Sequence, residues 1–194
     1  MPQGITRLPA AALLMVLTVW PMAGVAAEPN ALWAALARGG HVALMRHALA
    51  PGTGDPADFR IGDCSTQRNL DDVGRTQARR TGDAFRRNRV AVARVLSSQW
   101  CRSRETAELL GIGRVETLAA LDSLHGRREH EEAQVKAMQH FLDGLPGDGP
   151  SIVLVSHQAT ISARTGVYPE SGGIVVLKLR KPGAFDVAGS IPAP

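Results

Sequence analysis

Short continuous apolar runs alternate along the chain with longer segments in which apolar side chains recur at helical spacing. A short uninterrupted apolar run between turn formers is typical of a strand that is buried on both faces of a sheet. The clearest example is SIVLV at residues 151–155, because glycine and proline precede it and a polar pair follows it. The same pattern predicts strands over residues 41–45, 92–96, 115–121, 151–155 and 174–179.

The segments between the predicted strands carry the signals of amphipathic helices. In the clearest of them Val135, Met138 and Leu142 recur at helical spacing, and a stretch containing glycine and proline follows. Helices are predicted over residues 30–37, 71–88, 104–110, 129–143 and 158–164. Because strands and helices alternate, we predict an α/β fold, a three-layer α/β/α sandwich with a mostly parallel central sheet.

Two segments are predicted to lack regular structure. The stretch PGTGDP at residues 51–56 is dense in turn formers, which predicts a loop over residues 48–68. The chain from residue 182 onward is predicted to form a loose tail.

The first 27 residues have the pattern of an export signal. Arg7 precedes an apolar stretch over residues 10–20, and the small residues at 23–27 offer a cleavage site. The stretch is shorter than the ~20 residues that span a bilayer. We therefore predict a signal peptide over 1–27, a single domain over 28–194, a periplasmic or secreted location, and no stable membrane span after cleavage. An uncleaved membrane anchor is the alternative interpretation.

Composition and charge narrow the choice of partner. Hydrophobic residues make up 44% of the 194 residues, which is typical of a globular protein. The excess of 22 Lys+Arg over 18 Asp+Glu gives a formal charge of +4. Basic residues are crowded into the second half of the helix predicted over 71–88. We interpret them as a solvated face, and predict no nucleic-acid partner, because no aromatic side chains are interleaved with Arg79, Arg80, Arg86, Arg87 and Arg89.

The chain has two cysteines, Cys64 and Cys101. Disulfides persist in exported proteins, so one intramolecular bridge is possible. Two buried free thiols are the alternative, because the sequence does not give the distance between the two side chains.

Basic and imidazole side chains follow three of the predicted strands. Arg46 and His47 follow the first strand, Arg102 comes after the second, and His157 follows the strand at 151–155. The carboxyl ends of parallel strands meet at one edge of a sheet, so these side chains are expected to lie together. Arginines and a helix N-terminus attract anions and disfavour a metal cation. The sequence has no HExxH or CxxC spacing, and we predict neither a metal nor a cofactor.

The same residues carry a resemblance to a known family. The segments LMRHA at 44–48, SSQWCRSRETA at 97–107 and LVSH at 154–157 resemble the three signature blocks of the histidine phosphatase (phosphoglycerate mutase-like) superfamily. The segment LDDVG at 70–74 is similar to the start of the family's first long helix. The blocks occur in the family's order, and the leader suggests a small exported branch of it.

The resemblance implies a mechanism and a role for each residue. His47 attacks phosphorus and forms a phosphohistidine, while Arg46, Arg102 and His157 hold the non-bridging oxygens. Phosphoryl transfer needs mainly positioning and positive charge, which arginines supply. A carboxylic acid protonates the leaving oxygen, and our candidates for it are Asp122 first, with Glu129 and Glu131 as alternatives.

The loop over 48–68 is expected to cover the pocket. Arg60 and Arg68 in it are candidates for further phosphate or substrate contacts, with surface positions as the alternative. A bridge between Cys64 and Cys101 would tie this loop to the wall of the pocket, because Cys101 is adjacent to Arg102.

The predicted function is that of an exported, metal-independent phosphohydrolase. It would cleave a phosphomonoester through a phosphohistidine on His47, with a phosphorylated small molecule or an envelope component as substrate. The alternative is a catalytically silent phosphate-binding module of the same fold.

Overall fold

The structure is a computed structural model that describes Met1, residues 28–180 and residues 184–194. The predicted signal peptide therefore lies outside the described residues except for Met1. None of the helices in these ranges is long and apolar enough to cross a membrane.

The described residues form six strands and five α-helices. The strands are β1 His41–Arg46, β2 Val92–Ser97, β3 Val115–Thr117, β4 Ser151–Ser156, β5 Ile174–Arg180 and β6 Ala184–Ile191. The helices are α1 Pro29–Arg38, α2 Asp72–Arg87, α3 Cys101–Leu110, α4 Glu131–Asp143 and α5 Gln158–Thr165. Single 3₁₀ turns occur at Cys64–Thr66, Ala119–Leu121 and Arg128–His130.

The strands form one sheet in the order β3-β2-β4-β1-β5-β6. Strands β3, β2, β4 and β1 are parallel, whereas β5 and β6 are antiparallel to their neighbours. In the centre of the sheet Ile152 of β4 is paired with Val42 of β1 on one side and Arg94 of β2 on the other. The predicted α/β fold with a mostly parallel sheet is confirmed.

Alternate residues of the buried strands face two separate cores, which gives the three layers. On one face Val153 and Val155 of β4 pack with α1, α2 and α3, and on the other Ile152 and Leu154 pack with α4 and α5. The helices contribute Leu36, Phe85 and Leu110 to the first core and Met138, Leu142 and Ile161 to the second.

Helix α2 shows how local sequence and packing combine. The Asp71 side chain caps its N-terminus by accepting from the Gly74 N–H at 2.7 Å. Gly82 lets α2 approach α3 closely, because a Cβ at this position would lie 1.9 Å from the Leu110 carbonyl oxygen. The close approach fixes α2 against the helix that carries Arg102.

Four element predictions were wrong. Helix α3 begins at Cys101 rather than at residue 104, so that Arg102 lies in its first turn. The strand predicted over 115–121 ends at Thr117, and residues 119–121 form a 3₁₀ turn. Helix α4 begins at Glu131 rather than at residue 129, after another 3₁₀ turn. The predicted loose tail contains β6, which pairs with β5 along the edge of the sheet and so satisfies backbone groups that a tail would leave to water.

Candidate active site

The three predicted strand ends meet at one edge of the sheet. Arg46 ends β1 opposite Ser156, which ends β4, and the His47 N–H donates to the Ser156 carbonyl at 2.9 Å. The His47 and His157 rings lie 5.2 Å apart between centroids. Arg102 reaches the same place from the first turn of α3. The structure therefore brings together the four residues that the resemblance implies for the phosphoryl group.

His47 is a buried, neutral imidazole with one nitrogen available for attack. Only 2% of the residue is exposed. Burial is the main cause that lowers the pKa of His47 to about 3, with the charges of Arg102 and Arg46 acting in the same direction. The Nδ1 atom lies 2.7 Å from the Ala48 carbonyl oxygen, which assigns the hydrogen to Nδ1 and the lone pair to Nε2. The Arg102 Nε–H donates to Nε2 at 3.3 Å.

Three guanidinium groups face this imidazole. Burial and the charge of Arg102 lower the pKa of both Arg46 and Arg68. Arg46 Nη1 donates to the Pro169 carbonyl at 3.1 Å, whereas Arg46 Nε is buried without a partner among the described residues. Arg68 Nε donates to the Gly54 carbonyl at 2.6 Å. The arrangement concentrates positive charge at the edge of the sheet.

His157 presents one free nitrogen to the same space. Its Nε2 lies 2.9 Å from Ser98 Oγ and 3.2 Å from Ser103 Oγ, while its Nδ1 is buried and has no partner within the described ranges. Burial and then the charges of His47 and Arg102 hold the pKa of His157 well below its usual value.

Asp55 is a site residue that the sequence analysis missed. Its carboxylate accepts from Arg102 through Oδ1 at 2.7 Å and Oδ2 at 3.1 Å, and it also accepts from Trp100 Nε1 and the Arg68 N–H. Burial acts to raise the pKa of Asp55, but the hydrogen bond and charge of Arg102 outweigh it, so the pKa lies below its usual value. No local signal identifies this residue, because it lies in the turn-forming stretch 51–56.

The carboxylates considered for the proton donor lie in three different positions. Asp122 accepts from Ser98 Oγ at 3.1 Å and the Gln99 N–H at 2.8 Å, and burial raises its pKa, but it is not among the lining residues of the cavity. Glu129 is exposed, lies 3.4 Å from His130 and does not line the cavity either. Glu131, in the first turn of α4, does line it.

The cavity at this site has a volume of about 720 Å³. It is lined by His47, His157 and the three arginines described above, and also by Ser123, His125, Arg128, Ser162 and Tyr168. Arg68 is therefore at the site, whereas Arg60 is exposed and pairs with Asp63 at 2.8 Å. In the described part of the chain, no group of His, Cys, Asp or Glu side chains could hold a metal ion.

A disulfide joins Cys64 to Cys101, with 5.6 Å between the two Cα atoms. It links the 3₁₀ turn in the loop over 48–68 to the start of α3, one residue before Arg102. Gln67 reinforces the link, because its Oε1 accepts from the Cys101 N–H at 3.0 Å. The loop is thereby tied to the wall of the cavity.

The fold and the site define an α/β protein that gathers a neutral histidine and three arginines at the carboxyl ends of parallel strands. The family model of the histidine phosphatase superfamily (branch 1) matches residues 42–129, a range that contains His47 and Arg102. The resemblance predicted from the signature blocks is confirmed by this match and by the fold. No curated protein matches the chain significantly in sequence.

Solved structures with this fold are similar over most of their length. The protein histidine phosphatase SixA in complex with tungstate is 19% identical, with a TM-score of 0.58, over 78% of this chain and 96% of that one. An open reading frame product of Mycobacterium tuberculosis is 15% identical, with a TM-score of 0.60, over 79% and 97%. A mycobacterial glucosyl-3-phosphoglycerate phosphatase in complex with VO₃ is 15% identical, with a TM-score of 0.54, over 79% and 99%.

Proposed function

We propose that the protein is a metal-independent phosphohydrolase that transfers a phosphoryl group to His47 and then to water. The observation that carries the proposal is the His47 ring, which is buried and neutral, carries its lone pair on Nε2 beside the Arg102 Nε–H, and lines one cavity with Arg46, Arg68 and Arg102. A neutral imidazole is a competent nucleophile, and guanidinium groups supply the charge that phosphoryl transfer requires. Similar proteins named as phosphatases support the same reaction class.

The charge of the site suits a phosphoryl dianion. Four arginines line the cavity, Arg46, Arg68, Arg102 and Arg128, against the carboxylates of Glu131 in the lining and Asp55 on Arg102, so the formal balance is two positive charges. Two buried polar atoms that have no partner among the described residues, Arg46 Nε and His157 Nδ1, can serve the phosphoryl oxygens. A bound dianion also raises the pKa of His157, because an adjacent negative charge favours the protonated imidazole, which then donates from Nδ1.

The reaction has two steps. In the first, His47 Nε2 forms a bond to phosphorus while the bond from phosphorus to the leaving oxygen breaks. In the second, water attacks phosphorus and gives a proton to the carboxylate that protonated the leaving oxygen, the bond to Nε2 breaks, and inorganic phosphate leaves. The Arg102 Nε–H, which lies 3.3 Å from Nε2 in the free protein, is next to any oxygen on a phosphorus bound there. This donor therefore stabilises the charge that develops in both transition states.

For the proton donor we propose Glu131 in place of Asp122. Glu131 lines the cavity, whereas Asp122 does not line it and accepts from Ser98 and Gln99 through Oδ1. Asp122 instead positions Ser98, whose hydroxyl contacts His157 Nε2.

The substrate we propose is a phosphomonoester, on a small molecule or an envelope component, that is met after export. Export is tested by expressing the full chain and sequencing the N-terminus of the protein recovered from the periplasm or medium. The expected mature N-terminus is Glu28, and a protein that keeps residues 1–27 contradicts the predicted cleavage.

The function is tested with p-nitrophenyl phosphate and a panel of phosphate esters in the presence of EDTA. We expect turnover with the wild type, none with His47→Ala, and normal turnover with His140→Ala, since His140 is exposed on α4. Rapid quenching is expected to trap phosphate on the wild-type protein in the acid-labile form typical of phosphohistidine. Turnover in His47→Ala, or its loss in EDTA, overturns the proposal. Phosphate binding without turnover on any ester supports the silent module.

The proton donor is tested by comparing Glu131→Gln, Asp122→Asn and Glu129→Gln. A general acid contributes roughly 10²–10⁴-fold, so Glu131→Gln is expected to lower kcat by that factor on an alkyl phosphate. The loss is expected to be smaller on p-nitrophenyl phosphate, whose leaving group needs less protonation. Glu129→Gln is the matched control, because Glu129 lies within one helical turn of Glu131. A normal kcat in Glu131→Gln, together with a large loss of kcat in Asp122→Asn, identifies Asp122 as the proton donor.

A further inference from the structure

We propose that Asp55 is a positioning residue that holds the Arg102 guanidinium in the orientation needed for phosphoryl transfer. The proposal deepens the function proposed above and rests on it. It starts from an ion pair that joins residues 47 positions apart and is almost fully buried, with 2% of the Arg102 side chain and 9% of the Asp55 side chain exposed. A buried ion pair needs such matched hydrogen bonds to offset the cost of desolvation.

The geometry of the pair leaves one edge of the guanidinium for a ligand. Asp55 takes the end of the group, with Nη1 donating to Oδ1 at 2.7 Å and Nη2 to Oδ2 at 3.1 Å. Because a guanidinium is planar and its donors form a rigid fork, the end and the Nε side cannot be turned independently. The Nε–H therefore points at His47 Nε2, 3.3 Å away. The Nε side of the guanidinium thus faces the nitrogen at which a phosphoryl group would bind.

Asp55 is itself held in place from several directions. Its Oδ2 accepts from Trp100 Nε1 at 3.0 Å, and its Oδ1 accepts from the Arg68 N–H at 3.1 Å. The Arg68 side chain donates to the carbonyls of Ala50 and Gly54, on the stretch of loop that leads to Asp55. The carboxylate is thus held in a fixed position against Arg102, which lines the cavity.

The opposite role for the same contact is a brake, in which Asp55 competes with phosphate for Arg102. The structure favours positioning, because Asp55 occupies the end of the guanidinium and leaves the Nε edge toward His47. The two roles predict changes of opposite sign in phosphate affinity for Asp55→Asn, a substitution that keeps the size of the side chain and removes its charge. Positioning predicts weaker phosphate binding and slower turnover, whereas a brake predicts tighter binding.

The experiment measures kcat and KM for p-nitrophenyl phosphate, and the affinity for inorganic phosphate by calorimetry. The variants are Asp55→Asn, Asp55→Glu and Asp58→Asn, the last being an exposed carboxylate of the same loop. Misplacing a group by about 1 Å can cost about 100-fold, so we expect kcat to fall by about 10- to 100-fold in Asp55→Asn. We expect KM to change less than kcat, Asp55→Glu to recover part of the loss, and Asp58→Asn to behave as the wild type.

A double-mutant cycle with Arg102→Lys separates positioning from a general effect on the loop. Lysine cannot form the two-pronged pair, so Asp55→Asn is expected to have little further effect on phosphate affinity in that background. An equal loss in both backgrounds, or a gain of affinity in the single variant, overturns the proposal. If the wild type turns over no ester, the proposed function fails, but weaker phosphate binding by Asp55→Asn still supports the positioning role.

Discussion

Acid is expected to destabilise the fold through His47. In the unfolded chain this histidine takes up a proton near its ordinary pKa of 6.5, whereas in the folded protein it does so only at about pH 3. The unfolded state therefore binds more protons between these two values, so the contribution of His47 to stability is full above pH 6.5 and falls as the pH drops toward 3. At pH 5 the solution is about 1.5 pH units below the ordinary pKa of histidine. Protonation of His47 in the unfolded chain therefore lowers the free energy of unfolding by about 2 kcal/mol.

The perturbation that isolates this effect is His47→Asn, which replaces the imidazole with a polar group that does not titrate. Urea unfolding is measured for both proteins at pH 7.5 and pH 5.0, in buffers without phosphate because a bound anion would raise the pKa of the histidines. The wild type is expected to lose about 2 kcal/mol more than the variant between the two pH values. His157 remains in both proteins, so its own contribution cancels to first order.

The control is His140→Asn, because His140 is exposed on α4 and stays in contact with water in the folded state. Its loss of stability between pH 7.5 and 5.0 is expected to equal that of the wild type. If His47→Asn shows the same loss as the wild type, His47 is protonated in the folded protein at pH 5. The assignment of a neutral nucleophile then fails.

Two further predictions concern packing and the crosslink. Replacing Cys64 and Cys101 by serine removes a crosslink between residues 37 positions apart. This is expected to lower the unfolding free energy by about 4 kcal/mol, as measured by denaturant unfolding. Unchanged stability would contradict this prediction. Gly82→Ala is expected to lower Tm although alanine favours helices by about 1 kcal/mol, because its Cβ would lie 1.9 Å from the Leu110 oxygen. Thr76→Ala on the exposed side of α2 is the control, and a raised Tm in Gly82→Ala refutes the packing argument.

The central part of the fold is predictable because its signals are local. Strands β1 and β4 are continuous apolar runs that are buried on both faces, as are the second half of β2 and the first half of β5, and such runs can be recognised without knowledge of their partners. Strand β6 has no such signal, because AFDVAGSI mixes polar and small residues and the strand is stabilised by pairing with β5 at the edge. Edge pairing is a tertiary effect that periodicity does not report.

The residues of the site also divide into those that the sequence predicts and those that it does not. Arg46, His47 and His157 are predictable because each directly follows a strand, and the parallel sheet brings strand ends together. The places of Asp55 and Glu131 in the site are not predictable in this way. The position of Asp55 depends on how the loop folds over the sheet, and that of Glu131 depends on where α4 begins. A carboxylate in a run of turn formers has the same sequence signal whether it faces water or a guanidinium.

The position of β1 in the sheet has a consequence for how the protein is made. Strand β1 lies between β4 and β5, so that Val42 is paired with Ile152 and Leu177, both more than a hundred residues later in the chain. During synthesis β2 and β3 can pair early, whereas β1 has exposed apolar edges until β4 has emerged. Such long-range pairing makes folding slow. The proposed nucleophile His47, directly after β1, is consequently synthesised early in the domain but reaches its final place only once β4 and β5 have been made.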